Sequence, residues 1–313
     1  ARKNGAIKSI ASISPIDADE IKKDGGTILK SGTPLPRIFA VFFNQNHNEL
    51  FTSRAVREAL SIAIPKSEII NSVFGEFATP INGPLGSPDL KKLDTDAAII
   101  AAKGMLERDG WKFNTADKVY KKTTTTGTGT KKKTSSITLS FTLATASNPE
   151  MKSIAEHVRD SWEKMGAKVS LDVFEIGDLN QNIIRPRKYD ALFFGEILGR
   201  SPDLYPFWHS SQRNDPGLNV ALYTNIKADR LLEKAKLAIN TEDRQAKEEE
   251  AEKEILKDYP ALFLYSPYFL YAIPKELRDV KIDIITVPSE RFANVYEWYT
   301  ETDRVWKFLA NNK

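Results

Sequence analysis

Apolar and polar positions along this chain switch between two periods, and the switches mark out its elements. "RIFAVFFNQN" is a nearly unbroken apolar run, as expected for a buried strand. In "TSRAVREALSIAIPKSEIINSVFG", Val56, Ala59, Leu60 and Ala63 fall at helical spacing behind Thr52 or Ser53 as a cap. Pro65 separates this helix from a second one, which carries Ile69, Ile70 and Val73 and stops at Gly75. "TDAAIIAAKGMLERDGW" predicts another helix ending near Gly110. The period then drops to two: Ile137, Leu139, Phe141 and Leu143 alternate with Thr138, Ser140 and Thr142. "SITLSFTLAT" therefore reads as one half-buried strand, paired with "KVYKK" across the low-complexity tip "TTTTGTGTKKKTSS".

Between Pro149 and Gly166 the helical period returns, with Ile154, Val158, Trp162 and Met165 as its stripe. "KVSLDVFEI" alternates again through Val169, Leu171 and Val173. Strand, helix and strand at this spacing make a βαβ unit, whose crossover is right-handed. "YDALFFGEI" adds a strand. "NIKADRLLEKAKLAI" and "TEDRQAKEEEAEKEILKDYP" read as helices capped by Asn225 and Thr241, the second largely solvated. "ALFLYSPYFLYAIP" reads as two strands broken at Ser266 and Pro267. Near the start "SPIDADEIKKDGG" is a short helix, while the residues before it find no partner nearby in sequence. "FATPINGPLGSP" is too punctuated for regular structure, and the tail "YEWYTETDRVWKFL" has aromatics without a period. These segments describe an α/β fold.

Charge and composition narrow the function. The 313 residues carry 45 basic and 42 acidic side chains, a formal net charge of +3, so no electrostatic footprint for nucleic acid is present. The longest basic run, Lys131 to Lys133, is expected at a solvated loop tip. The absence of cysteine excludes disulfides, thiolate zinc sites and a cysteine nucleophile. No apolar stretch reaches the length of a membrane span, and "ARKNGAIKSI" lacks the apolar core of a secretory signal. A cytoplasmic location, or a targeting segment outside this sequence, would account for both. His47, His157 and His209 are too dispersed to suggest a ligand cluster, and HExxH, GxSxG, Walker and GxGxxG patterns are missing. No metal or cofactor is expected. Glu175, Asp178, Glu196 and Asp203 leave a carboxylate-dependent hydrolase as a remote alternative.

The richest segment chemically is "SPDLYPFWHSSQ", which leaves the end of a strand, where sites of α/β proteins tend to lie. Phe207 reads as packing. Asp203, Tyr205, Trp208, His209, Ser210 and Gln212 combine hydrogen-bonding groups with aromatic faces, the mix that recognises polar ligands. The competing reading is that the aromatics simply cap the sheet.

The order of these segments carries a resemblance. "RIFAVFFNQN", "LFTSRAVREALSIAIPKSEIINSVFGEFATPINGPLG", "AAKGMLERDGWK", "KYDALFFGEILGRSPDLYPFWHSSQ", "GLNVALYTNIKADRLLEKAK" and "DRQAKEEEAEKEILKDYPALFLYSPYFLYAIP" together resemble the extracytoplasmic solute-binding proteins of oligopeptide, dipeptide and nickel ABC importers. The resemblance implies a periplasmic-binding-protein-like clamshell lobe, with a mixed sheet and flanking helices. Such proteins close two lobes on a ligand and deliver it to a membrane permease. Members are longer than this chain, which implies the end of a first, incomplete lobe over 1–36, a second lobe over 37–279 and a return segment over 280–313. It also implies a non-enzymatic, monomeric protein that is periplasmic or extracellular, free or held by a lipid anchor, and that binds an oligopeptide or dipeptide. A metal chelate or an oligosaccharide is the alternative cargo, and a sensing role the alternative use.

In peptide-binding members an aspartate after this strand meets the ligand's ammonium, within a pattern of glycine, tryptophan and an acidic run. Here Glu196 follows Gly195 in place of the tryptophan, Gly199 stands at the first acid, and Asp203 matches the later one. Pro65 likewise replaces an acid between the two helices. The implied ligand contacts are Glu196, Asp203, Tyr205, Trp208, His209 and Gln212, with Asp203 and Glu196 as rivals for the ammonium.

Overall fold

The computed structural model describes residues 7–89, 94–126 and 133–300. Lys131, Lys132 and the tail beyond Thr300 lie outside the described residues. The helices are α1 (Pro15–Lys23), α2 (Arg54–Ile62), α3 (Lys66–Phe74), α4 (Thr95–Arg108), α5 (Pro149–Met165), α6 (Ile176–Asp178), α7 (Tyr205–Trp208), α8 (Ile226–Leu237) and α9 (Thr241–Leu256). The strands are β1 (Ile10–Ala11), β2 (Thr27–Pro34), β3 (Arg37–Phe43), β4 (Ala78–Pro80), β5 (Lys112–Asn114), β6 (Val119–Thr126), β7 (Lys133–Thr138), β8 (Ser140–Ala146), β9 (Lys168–Phe174), β10 (Ala191–Ile197), β11 (Ala261–Ile273), β12 (Leu277–Arg278) and β13 (Tyr299–Thr300). The chain divides into two compact units, residues 36–73 with 79–266, and residues 1–35 with 74–78 and 267–313.

The larger unit is built on a mixed sheet. The first half of β11 lies antiparallel to β3, β3 antiparallel to β10, β10 parallel to β8, and β8 parallel to β9. α5 is the crossover of the βαβ unit. It starts with Pro149 in its first turn, where a missing N–H costs nothing, and ends at Gly166 in the left-handed region at φ 105°. Its apolar stripe meets one sheet face: the Trp162 ring lies 5.2 Å from that of Phe141 and 6.4 Å from that of Phe43, and its Nε1 donates to the Leu60 carbonyl of α2. The opposite face carries Phe42 and Phe263, on which Trp208 of α7 packs at 6.1 and 5.7 Å. α7 packs on α8, which pairs with α9.

In the smaller unit the second half of β11 has β1 along one edge and β2 along the other. Leu35, Phe269, Tyr271, Ile273, Ile282 and Ile285 form its main core. Ala18 of α1 packs with Phe77 and Leu270.

Several expected elements differ in the structure. The run Ile137 to Leu143 is not one strand. β7 pairs with β6 in a separate sheet with β5, whereas β8 joins the main sheet; Leu139, whose N–H bonds to the Tyr120 carbonyl, is the pivot. Alternation survives such a change of partner because the side-chain period of two belongs to each extended strand, whichever neighbour it pairs with. Thr123 to Thr126 and Lys133 to Ser136 belong to this ladder rather than to the tip. Pro267 does not split β11, which runs through and exchanges β3 for β2 as its partner, with register shifts on either side. β2, which has only weak alternation, was not anticipated. The caps of α2 and α9 are Ser53 and Asn240; the Asn240 side chain accepts from the Asp243 N–H, so Thr241 is already inside the helix.

Candidate functional site

β10 leads into the candidate site. Its pairing with β3 runs from Ala191 opposite Phe43 to Ile197 opposite Arg37, so Glu196 stands opposite Ile38. Directly paired residues share a face, and every second residue returns to it. Glu196 therefore points to the side that carries Phe42 and Trp208. It is 6% exposed, and neither carboxylate oxygen has a hydrogen-bond partner among the described residues. Burial alone pushes its carboxyl well above the usual carboxylate range. The adjoining Ile197 is 62% exposed, so the edge of the sheet opens one residue further on.

The chain then turns through Gly199 at φ 76°. Leu198 donates its N–H to the Pro36 carbonyl. Asp203 accepts the Tyr205 N–H on Oδ1 at 3.1 Å, and its Oδ2 lies 3.9 Å from Nη2 of Arg244. Arg244 also donates to the Pro202 carbonyl. From α9, Glu248 accepts the Leu204 N–H at 3.2 Å. The loop is thus held at its centre by one helix.

Its second half is held by α8. Ser210 donates from both its N–H and its hydroxyl to Asp229, at 2.9 and 2.6 Å. Tyr205 and His209 stack with ring centroids 4.3 Å apart, and Lys236 Nζ lies 4.2 Å from the Tyr205 ring centre. His209 Nδ1 accepts the Ser211 N–H, and its Nε2 lies 3.4 Å from Glu233. Gln212 donates from its side chain to the Ser211 hydroxyl. Buried Asn219, which the sequence reading passed over, donates to the carbonyls of His209 and Tyr223 and closes the segment.

The six expected contacts therefore separate. Asp203, Tyr205 and Gln212 keep exposed surface, His209 is mostly covered, and Glu196 is sealed at the strand end. Trp208 is 0% exposed, and its indole is part of the core between the sheet and Tyr223. Arg244 and Glu248 hold this loop, and Glu252 beside them holds the Leu85 N–H; none of the three was anticipated, because α9 looks polar all round. The available signal was that Glu248 and Glu252 share the stripe of Ala251 and Ile255, all four of which are buried. Among the described residues no group of three or more His, Asp or Glu has the arrangement of a metal site, and no helix is long and apolar enough to cross a membrane.

Comparisons with known proteins agree on a single family. The model for bacterial extracellular solute-binding proteins, family 5, matches residues 1–219. The oligopeptide-binding protein AppA of Bacillus subtilis (strain 168) is 30% identical over 279 residues, which is 87% of this chain and 48% of that protein. The solved structure of AppA from Bacillus subtilis in complex with a nonapeptide superposes with a TM-score of 0.72 at 27% identity, covering 96% of this chain and 57% of its own. NikZ from Campylobacter jejuni in complex with Ni(L-His) shares the fold, with a TM-score of 0.73 at 24% identity over 96% of this chain and 58% of its own. The chain spans about half the length of the relatives it matches.

Proposed function

Because this chain belongs to the bacterial extracellular solute-binding proteins of family 5, we propose that it forms part of a peptide-capturing subunit of an ABC importer. The observation that carries this reading is the family match over residues 1–219, together with the relationship to an oligopeptide-binding protein across 87% of the chain. The family binds solutes and is not catalytic, so the carboxylates are read as recognition groups. The protein works outside the cytoplasm, in the periplasm or on the cell surface, as a monomer that docks on membrane permease subunits.

The segment after β10 supplies the ligand contacts in this reading. A peptide ammonium needs an anion in a water-poor site, where a charge-assisted hydrogen bond gains most. Glu196 and Asp203 are the two candidates for that contact: both Glu196 oxygens are unpartnered but sealed from solvent, whereas Asp203 keeps exposed surface but already accepts the Tyr205 N–H and faces Arg244. Tyr205, His209 and Gln212 provide an aromatic and amide surface beside it, and Trp208 supports them from below. The larger unit, residues 36–73 and 79–266, is read as the ligand-bearing part of the second lobe.

The test is calorimetry with a panel of short peptides, on this chain and on a polypeptide extended to the length of the relatives. Glu196→Gln should weaken binding of free-amine peptides by about tenfold or more while leaving N-acetylated peptides nearly unchanged. A larger effect from Asp203→Asn would place the ammonium contact there. Absence of peptide binding by the extended protein would overturn the reading, and mass spectrometry of co-purified cargo would then identify a chelate or sugar.

A further inference from the structure

Arg37 opens β3 and stands directly opposite Ile197, the last residue of β10. Paired residues share a face, so Arg37, Phe39, Gly195 and Ile197 lie together on the face opposite to Glu196. All four keep exposed surface, and Ile197 is the most open. Gly195 has no side chain, and the Phe39 ring fills the place of one: a Cβ there would stand 2.8 Å from that ring. Phe39 in turn stacks on Tyr265, with ring centroids 4.6 Å apart and nearly parallel planes. The end of the strand pair therefore presents a half-open aromatic floor with Arg37 at its rim.

Arg37 is the unusual member. Its Nε is covered and has no acceptor, and its guanidinium makes no hydrogen bond or ion pair among the described residues. Glu196 is turned to the other face, and Glu150 at the start of α5 forms no ion pair with it. By contrast, Arg57 of the same unit donates to the carbonyls of Phe51, Asp258 and Tyr259, and Arg187 to those of Ile184, Arg213 and Gly217. A covered donor without an acceptor is costly. The two Nη groups of Arg37 are not covered, so an anion from outside can reach the guanidinium.

We propose that Arg37 binds a carboxylate of the captured solute, with the carbon chain behind that carboxylate lying on Phe39. The two Nη groups form a planar fork that matches the two oxygens of a carboxylate. A lysine there would offer only a point charge. The flat face of Phe39 supports an apolar group without selecting one shape. This deepens the transport reading and rests on it for the cargo: an acid after β10 takes the cationic end of the solute, and Arg37 takes an anionic one.

The test is a titration of the 313-residue chain with N-acetylphenylalanine, which carries a carboxylate and no ammonium, followed by NMR. The covered Nε–H of Arg37 is sheltered from exchange and gives a side-chain signal, identified by its loss in Arg37→Lys. Saturable shifts are expected on that signal and on the backbone amides of Arg37, Gly195 and Ile197. N-acetylphenylalaninamide should not produce them. Arg37→Gln should weaken binding by about tenfold or more, and Arg37→Lys by less. No shifts up to tens of millimolar carboxylate, equal shifts from the amide, or the same saturation with sodium sulfate at equal ionic strength would each overturn the proposal. These three arms use the native chain, so they decide the matter even where a variant fails to fold. The probe has no ammonium, so its binding stands or falls apart from peptide capture: shifts here without peptide binding by the extended protein would sink the transport reading alone.

Discussion

Glu252 of α9 accepts the Leu85 N–H at 3.0 Å, and its carboxylate fills the space that a Cβ on Gly83 would need. Helix and loop are therefore matched atom to atom. Glu252→Ala should cost about 1–2 kcal/mol, because it leaves a part-buried N–H without its acceptor. Gly83→Ala should cost a similar amount by expelling the same carboxylate. Urea denaturation of both single variants and the double variant should show a combined loss smaller than the sum, since each breaks the same bond.

Glu248 gives the fold a pH dependence of definite sign. Desolvation raises its carboxyl to about 7, although the Leu204 N–H works the other way. The folded state therefore holds this proton more tightly than the unfolded chain, whose carboxyl titrates near its ordinary value of 4.5. The contribution is complete below that value and is lost as pH rises from there through about 7. Glu248→Gln should flatten the fall in unfolding free energy between these two points, by about 3 kcal/mol at most. An unchanged slope would show that the carboxyl ionises freely in the folded protein.

Gly166 terminates α5 in the left-handed region, and a Cβ there would stand 2.9 Å from the Tyr120 ring. Gly166→Ala combines backbone strain with a clash in the packing of β6 against the end of the helix. A loss of about 1–3 kcal/mol is expected in thermal or chemical denaturation.

In the proposed reading, peptide capture depends on enclosing the ligand, because an open surface returns little of the entropy lost on binding. The 313 residues alone are therefore expected to bind short peptides more weakly than micromolar, as measured by calorimetry. Micromolar or tighter binding would mean that the larger unit carries a self-sufficient site.

Local pattern was enough to read most of the elements and the βαβ unit. Val56, Ala59 and Leu60, or Ile154, Val158 and Trp162, can be buried together only if the segment is helical. The segment order also carried the family resemblance. What pattern could not supply was partnership. Alternation from Ile137 to Leu143 is the same whether one sheet or two take it up, and only the pairing of β7 with β6 and of β8 with β9 breaks it at Leu139.

The candidate site divides in the same way. The sequence by itself determined that a polar and aromatic segment follows β10, since that depends only on composition and adjacency. Only the tertiary structure decided that Trp208 is core, that Glu196 is sealed without a partner, and that Glu248 and Glu252 face inward. Burial is set by what packs on a residue from far along the chain. The desolvation of a carboxylate is therefore a property of the fold and not of its neighbours in sequence.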